Sequence, residues 1–168
     1  MCGILGILSD NFPKDKATIR SIIKSIGHRG PDEEGLFQND FVSLFHSRLS
    51  IIDLSGGKQP FPNELKTIWV TYNGELYNYL ELRRILIGLG YSFSTNSDTE
   101  VILMAYSHWG KNCVKYFRGM FAFGIIDLSK QELFLARDHF GIKPLVYAQN
   151  ANVFAFASEI QALKSISE

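Results

Sequence analysis

The chain opens on a run of small and apolar residues, Cys2 to Leu8, directly behind Met1. The run is too short to span a membrane, and it has neither the basic start nor the small-residue cleavage site of a signal peptide. It reads as a buried strand that begins at the very N-terminus. A chain that buries its first strand holds its N-terminus in the body of the domain, and any reactive group placed there comes with it.

The elements that follow are separable by their periods. Ile19, Ile22, Ile23 and Ile26 carry the i, i+3, i+4, i+7 pattern of an amphipathic helix over Asp15 to Ile26, with Gly27 at its C-cap. Phe41 to Ile52 and Thr67 to Tyr72 are rich in β-branched and aromatic residues and read as strands. Between them, Asp53 to Leu65 holds glycines, prolines and an asparagine, the composition of a loop. Two helices follow, Tyr79 to Leu89 closed by Gly90, and Asp98 to Trp109 closed by Gly110, the second capped by Ser97 or Asp98. Met120 to Asp127, Glu132 to Arg137, Leu145 to Ala148 and Val153 to Ala157 are short strands at hairpin spacing. Strands grouped apart from helices predict an α+β fold rather than a doubly wound parallel sheet. No repeat or low-complexity linker divides residues 1–168, so they read as one domain.

Composition removes several classes of function. Seventeen basic residues balance seventeen acidic ones, which leaves no charge excess for nucleic acid or an anionic membrane. The only cysteines, Cys2 and Cys113, make no disulfide framework, and the expectation is a reduced, cytoplasmic protein. His28, His46, His108 and His139 have no metal-ligand spacing, so no zinc is expected. Ser55-Gly56-Gly57-Lys58 lacks the upstream glycine and the Ser/Thr of a phosphate-binding loop, and reads as a glycine loop able to shape or cover a pocket.

Cys2 is the residue with the most chemical meaning. Methionine before a residue as small as cysteine is normally excised, which would leave Cys2 terminal with a free α-amine. A thiol near ~8.5 beside an amine near ~7.7–8.0 is a nucleophile with its own base. A small apolar residue opening a buried strand is common, so Cys2 alone carries little weight. Asn73-Gly74 would ordinarily be a tight turn; read functionally, the Asn73 side-chain amide and the Gly74 N–H are two donors for one oxyanion. Arg48, among apolar residues at a strand end, is suited to a carboxylate. Asp98 is either a helix cap or first-turn residue, or the counter-charge of a substrate ammonium. Together these describe a pocket for an amino acid with a side-chain amide.

The motifs Met1-Cys2-Gly3-Ile4-Leu5-Gly6, His28-Arg29-Gly30-Pro31-Asp32, Arg48 to Asp53, Tyr72 to Asn78, Ser97 to Glu100, Gly119 to Phe123 and Arg137 to Leu145 occur in order. In this the chain resembles the glutaminase domain of asparagine synthetases, a branch of the class II, N-terminal-nucleophile glutamine amidotransferases, from residue 1 to about Glu159. Other class II branches differ in the arginine and Asn-Gly segments and fit less well. The resemblance implies a four-layer αββα sandwich with two central antiparallel sheets. It implies that the Cys2 thiol attacks the glutamine amide, with Asn73 and Gly74 as oxyanion hole, Arg48 on the α-carboxylate and Asp98 near the α-amine. Ile51, Ile52 and Glu75 fall where wall and backbone contacts to glutamine occur. His28 to Asp32 is expected to be a structural loop beside the nucleophile strand, and the His139 region to hold structure near the outer edge.

In that family a C-terminal synthetase domain uses ATP and Mg to activate an acceptor acid and receives ammonia through a tunnel. That domain is absent from these residues, so the expectation is an excised N-terminal domain or a truncated copy of a longer protein, in preference to a free-standing glutaminase subunit, with the synthetase partner in cis rather than in trans. No cofactor is expected for the glutaminase domain itself, and aspartate is the default acceptor. If Met1 is retained, the alternative is a glutamine-binding or regulatory module without turnover. An N-terminal-nucleophile amidohydrolase for another amide is disfavoured by the set Arg48, Asn73 and Asp98.

Overall fold

A computed structural model describes residues 1–9, 16–49, 57–164 and 166. The elements run β1 (Gly3–Leu8), α1 (Lys16–Gly27), β2 (Glu33–Gln38), β3 (Val42–Arg48), β4 (Phe61–Pro62), β5 (Ile68–Leu76), α2 (Tyr79–Gly88), α3 (Asp98–Trp109), β6 (Gly119–Asp127), β7 (Glu132–Arg137), β8 (Val146–Gln149), β9 (Phe154–Ala157) and α4 (Ile160–Lys164). A 3₁₀ helix over Gly110–Tyr116 joins α3 to β6. The strands form two antiparallel sheets, ordered β2-β3-β1-β9-β8 and β4-β5-β6-β7.

Three apolar clusters stack these elements into four layers. Leu5, Ile7, Phe45, Ala155 and Ala157 pack against Ile22 and Ile26 of α1 and Ala162 and Leu163 of α4. Ile4, Leu44 and Phe156 meet Ala122 and Ile126 across the interface between the sheets. Val70, Leu76, Phe121 and Ile125 pack under Leu82 and Leu86 of α2 and Ile102 and Ala105 of α3. Alternate residues of β1 therefore serve different layers, and the strand is buried on both faces, which is why it reads as a continuous apolar run. The order is helix, sheet, sheet, helix: the α+β, αββα sandwich. Among the described residues no helix is long and apolar enough to cross a membrane.

Some elements depart from the sequence reading. Strand β2 lies in a stretch without strand signal, because an edge strand pairs on one side only and Glu33, Glu34 and Gly35 mask its apolar pair. Its Phe37 stacks on Trp69 of the other sheet at 4.0 Å between ring centroids. The loop expected over Asp53 to Leu65 contains a short strand, β4, which pairs Phe61 and Pro62 with Val70 and Trp69. The strand expected over Phe41 to Ile52 is described as far as Arg48, and Ser50 to Gly56 lie outside the described residues.

Candidate active site

Asn73-Gly74 is not a turn. Strand β5 continues through both residues to Leu76, pairing Asn73 with Ala122 and Gly74 with Phe121 of β6. A side chain at Gly74 would put a Cβ 2.3 Å from the Met120 carbonyl oxygen, so only glycine lets the two strands approach here. Asn73 projects from β5 at the end of the sandwich where Cys2 enters β1. Its side-chain Nδ2 is buried with no hydrogen-bond partner among the described residues, in a residue 2% exposed. A buried donor left unpaired costs about 1–3 kcal/mol, so the fold carries a penalty at this position.

Cys2 lies just ahead of β1, whose Gly3 pairs with Ser47, and this register sets it beside Arg48 at the end of β3. The Leu49 N–H donates to the Cys2 Sγ at 3.4 Å. Burial pushes the Cys2 thiol up; the Leu49 N–H, the chain's terminal ammonium, Arg48 and Lys143 pull it down, and the balance is upward. Such a thiol needs a base to ionise near neutrality. The Cys2 carbonyl accepts from Arg29 Nε at 3.0 Å, and His28 and Arg29 both reach Glu159. The His28 to Asp32 loop therefore braces the strand that Cys2 leads.

A cavity of about 170 Å³ collects Cys2, Arg48, Asn73, Gly74, Glu75 and Asp98. This is close to the ~150 Å³ that accommodates benzene in an engineered core, a scale suited to a small metabolite. Met1, 56% exposed, also borders the cavity. Ile51 and Ile52, expected along its wall, lie outside the described residues.

Asp98 opens α3, and Ser97 rather than Asp98 is the cap: its side chain accepts from the Glu100 N–H. Glu100 in turn accepts from Ser94 N at 2.8 Å and Thr95 N at 2.7 Å, which secures the entry to the helix. The Asp98 carboxylate draws on the first-turn N–H groups of Asp98 and Thr99 and also turns to β5, where Oδ2 accepts from Tyr72 OH at 2.8 Å and Leu76 N at 3.0 Å. Burial raises its pKa against those hydrogen bonds. No cation pairs with it among the described residues, so a carboxylate only 5% exposed borders the cavity without a counter-charge.

Arg48 has a partner that the sequence did not reveal. Its NH1 donates to Glu33 Oε2 at 3.1 Å, across the β2–β3 register that sets the two residues opposite one another. Lys58 reaches the other Glu33 oxygen at 3.3 Å. Recognising β2 would have exposed this pair. Gln59 was also missed: its Oε1 accepts from Tyr72 N and its Nε2 donates to Thr99 Oγ1, tying β5 to α3 behind the cavity. Tyr72 stands in the sequence only as the first residue of the Asn-Gly motif, yet its hydroxyl holds Asp98. His46, buried between the sheets, bonds Thr71 Oγ1 at 3.1 Å through Nδ1 and has no partner on Nε2 among the described residues. Burial, helped by Arg48, lowers its pKa to about 3, so it is neutral and not a cation of the site. Cys113 is fully buried in the α3 cluster, and burial pushes its thiol up to about 12, leaving it to packing alone.

Four layers in the order helix, sheet, sheet, helix, with Cys2 just ahead of the central strand β1 and bordering a cavity, make a sandwich found in other proteins. Solved structures share it: the glutamine phosphoribosylpyrophosphate amidotransferase of Bacillus subtilis superposes with a TM-score of 0.77 at 22% identity, over 99% of this chain and 44% of that one. The profile of the glutamine amidotransferase domain family matches residues 1–168, and the chain belongs to that family. Asparagine synthetase [glutamine-hydrolyzing] 1 of Bacillus subtilis is 43% identical over 167 residues, 97% of this chain and 26% of that protein. Asparagine synthetase [glutamine-hydrolyzing] 3 of Arabidopsis thaliana is 41% identical over 172 residues, 100% of this chain and 29% of that protein. The chain thus spans under a third of the length of these two relatives.

Proposed function

We propose that this domain hydrolyses L-glutamine to glutamate and ammonia at Cys2. The observation that carries the reading is the unpartnered Asn73 amide beside the Cys2 thiol in one cavity, a donor kept buried and empty-handed at an energetic cost. Glutamine supplies what the cavity lacks. Its α-ammonium meets the uncompensated Asp98 carboxylate, its α-carboxylate meets Arg48, and its side-chain amide oxygen meets Asn73 Nδ2 and the Gly74 N–H.

Removal of the exposed Met1 frees the Cys2 α-amine, which takes the thiol proton. The thiolate forms a bond to the amide carbon, and the carbonyl electrons move onto an oxygen held by Asn73 and Gly74. As the tetrahedral species collapses, the carbon–nitrogen bond breaks and the amine returns its proton to the departing nitrogen, which leaves as ammonia. Water then attacks the γ-glutamyl thioester, the sulfur–carbon bond breaks, and glutamate and the Cys2 thiol are regenerated. Ile51, Ile52 and Glu75 are read as glutamine wall contacts. The domain itself uses no cofactor.

The ammonia is proposed to feed an ATP- and Mg-dependent amidation by a synthetase domain, in the same chain in preference to a separate one, with aspartate as acceptor. The names of the relatives support this reading. A reduced, cytoplasmic setting fits the unpaired Cys2 and Cys113.

The test measures glutamate release from glutamine by protein whose N-terminus is identified by mass spectrometry. Met-free chain should turn over, and Cys2→Ala should not. Met1-bearing chain should bind glutamine without turnover, and hydrolysis by that form would rule out the α-amine as base. Turnover by Cys2→Ala would rule out the whole scheme.

A further inference from the structure

The loop that follows His139, a region expected to be structure near the outer edge, brings Lys143 to the cavity. Asp138 organises it: Oδ1 accepts from the N–H groups of Phe140 at 3.1 Å and Ile142 at 3.0 Å, and Oδ2 from those of Lys143 at 3.0 Å and Phe121 at 3.2 Å. Burial opposes the charge on Asp138, but these donors outweigh it and hold the carboxyl below its usual range. Arg137 closes the other side, donating from Nε to the Lys143 carbonyl at 2.7 Å and from NH2 to that of Gly141 at 2.6 Å. Gly141, at φ +62°, makes the turn that this requires. Both backbone polar groups of Lys143 are therefore held.

The result inverts the usual order of burial. Phe140 is 91% exposed and Ile142 55%, whereas Lys143 between Ile142 and Pro144 is only 8% exposed and borders the Cys2 cavity. Among the described residues its ammonium has no hydrogen bond and no ion pair. Lys143 thus brings an ammonium with no partner among the described residues to the cavity that Cys2 borders, and a loop pinned at several points to hold it there suits an anion formed in that cavity.

The other charged and titratable groups facing the cavity come from every element around it. From the N-terminus there is the terminal ammonium; from β3, Arg48, already paired with Glu33; from β5, Tyr72 and Glu75; from α3, Asp98. His46 lies behind Arg48 and is neutral. Asp98 accepts from Tyr72 and Leu76 and makes no ion pair with Lys143, and burial together with Asp98 keeps the Tyr72 hydroxyl protonated. Cys2 is the group whose charge appears only during turnover.

We propose that Lys143 is a positioning residue for the nucleophile: its ammonium is the charge partner of the Cys2 thiolate and raises the thiolate fraction near neutral pH. This rests on the reading of Cys2 as nucleophile, but it can be tested without glutamine. The experiment follows alkylation of Cys2 by iodoacetamide against pH, with peptide mapping, in proteins of the same mass-verified N-terminus; Cys113, fully buried, does not compete. In Lys143→Met the midpoint should rise by about one pH unit, roughly tenfold less thiolate at pH 7. Lys143→Arg, which keeps the charge, should restore most of it. A merely structural role would change stability without moving the midpoint. Lys143→Gln serves the same comparison if the Met variant does not fold. An unmoved midpoint in a folded neutral variant, or an Arg variant that behaves like Met, would overturn the proposal. Either result leaves the glutaminase reading to the Cys2→Ala assay.

Discussion

Asn73→Ala should lower turnover and at the same time leave the fold as stable or more so, a pairing of signs that follows from one atom. Asn73 is 2% exposed and its Nδ2 has no partner among the described residues. Deleting that donor recovers the desolvation penalty of about 1–3 kcal/mol. The space left opens onto a cavity already present, so little packing is lost in exchange. In a chain of 168 residues each kcal/mol moves Tm by about 2–4 °C, and the variant should melt at or a few degrees above the wild-type temperature. An oxyanion donor of this kind is worth about 10²–10³ in rate, or roughly 2.7–4 kcal/mol of transition-state stabilisation. The loss should fall on kcat, because the hydrogen bond strengthens only as charge develops on the oxygen. Calorimetry and steady-state glutamate release on the same preparation read both quantities. A variant within about threefold of wild-type kcat would remove Asn73 from the oxyanion hole. A Tm several degrees lower would show that the amide supports the fold and that its apparent lack of a partner is not a reserve held for substrate.

Two further predictions concern the polar end of the sheet sandwich. Arg48→Ala should raise the glutamine KM by about 10- to 150-fold, the loss of a charged hydrogen bond of roughly 1.5–3 kcal/mol, with kcat little changed because the α-carboxylate does not react; a loss confined to kcat would refute the carboxylate assignment. His46, lowered to about 3 by burial and by Arg48, binds fewer protons folded than unfolded, so its contribution to stability is complete above 6.5 and is lost as pH falls toward 3. Between pH 6.5 and 5 this withdraws about 1.6 kcal/mol in the wild type and nothing in His46→Gln, while Asp98, raised by burial, acts in the opposite sense in both proteins. Urea unfolding of the two proteins across that range would test this, and parallel stability curves would show that His46 does not titrate as its burial requires.

Much of the domain was legible in the chain itself, because its cores are made of local patterns. The Ile19–Ile26 stripe, the apolar run after Cys2 and the glycine stops after α2 and α3 each record which face of an element is buried, and periodicity transmits that information directly. The residue types at Cys2, Arg48, Asn73, Gly74, Glu75 and Asp98 were likewise readable as a set, and the tertiary structure gathers them around one cavity. Tertiary structure alone decided who stands opposite whom. Glu33 meets Arg48 through a cross-strand register that β2 hardly advertises. Asn73-Gly74 becomes strand instead of turn because β6 lies alongside it and Gly74 allows the approach. Lys143 reaches the Cys2 cavity because Asp138 and Arg137 bend a distant loop inward. Side-chain period reports a residue's face but carries no record of its partner across space, since pairing is a property of register and loop closure rather than of neighbours in sequence.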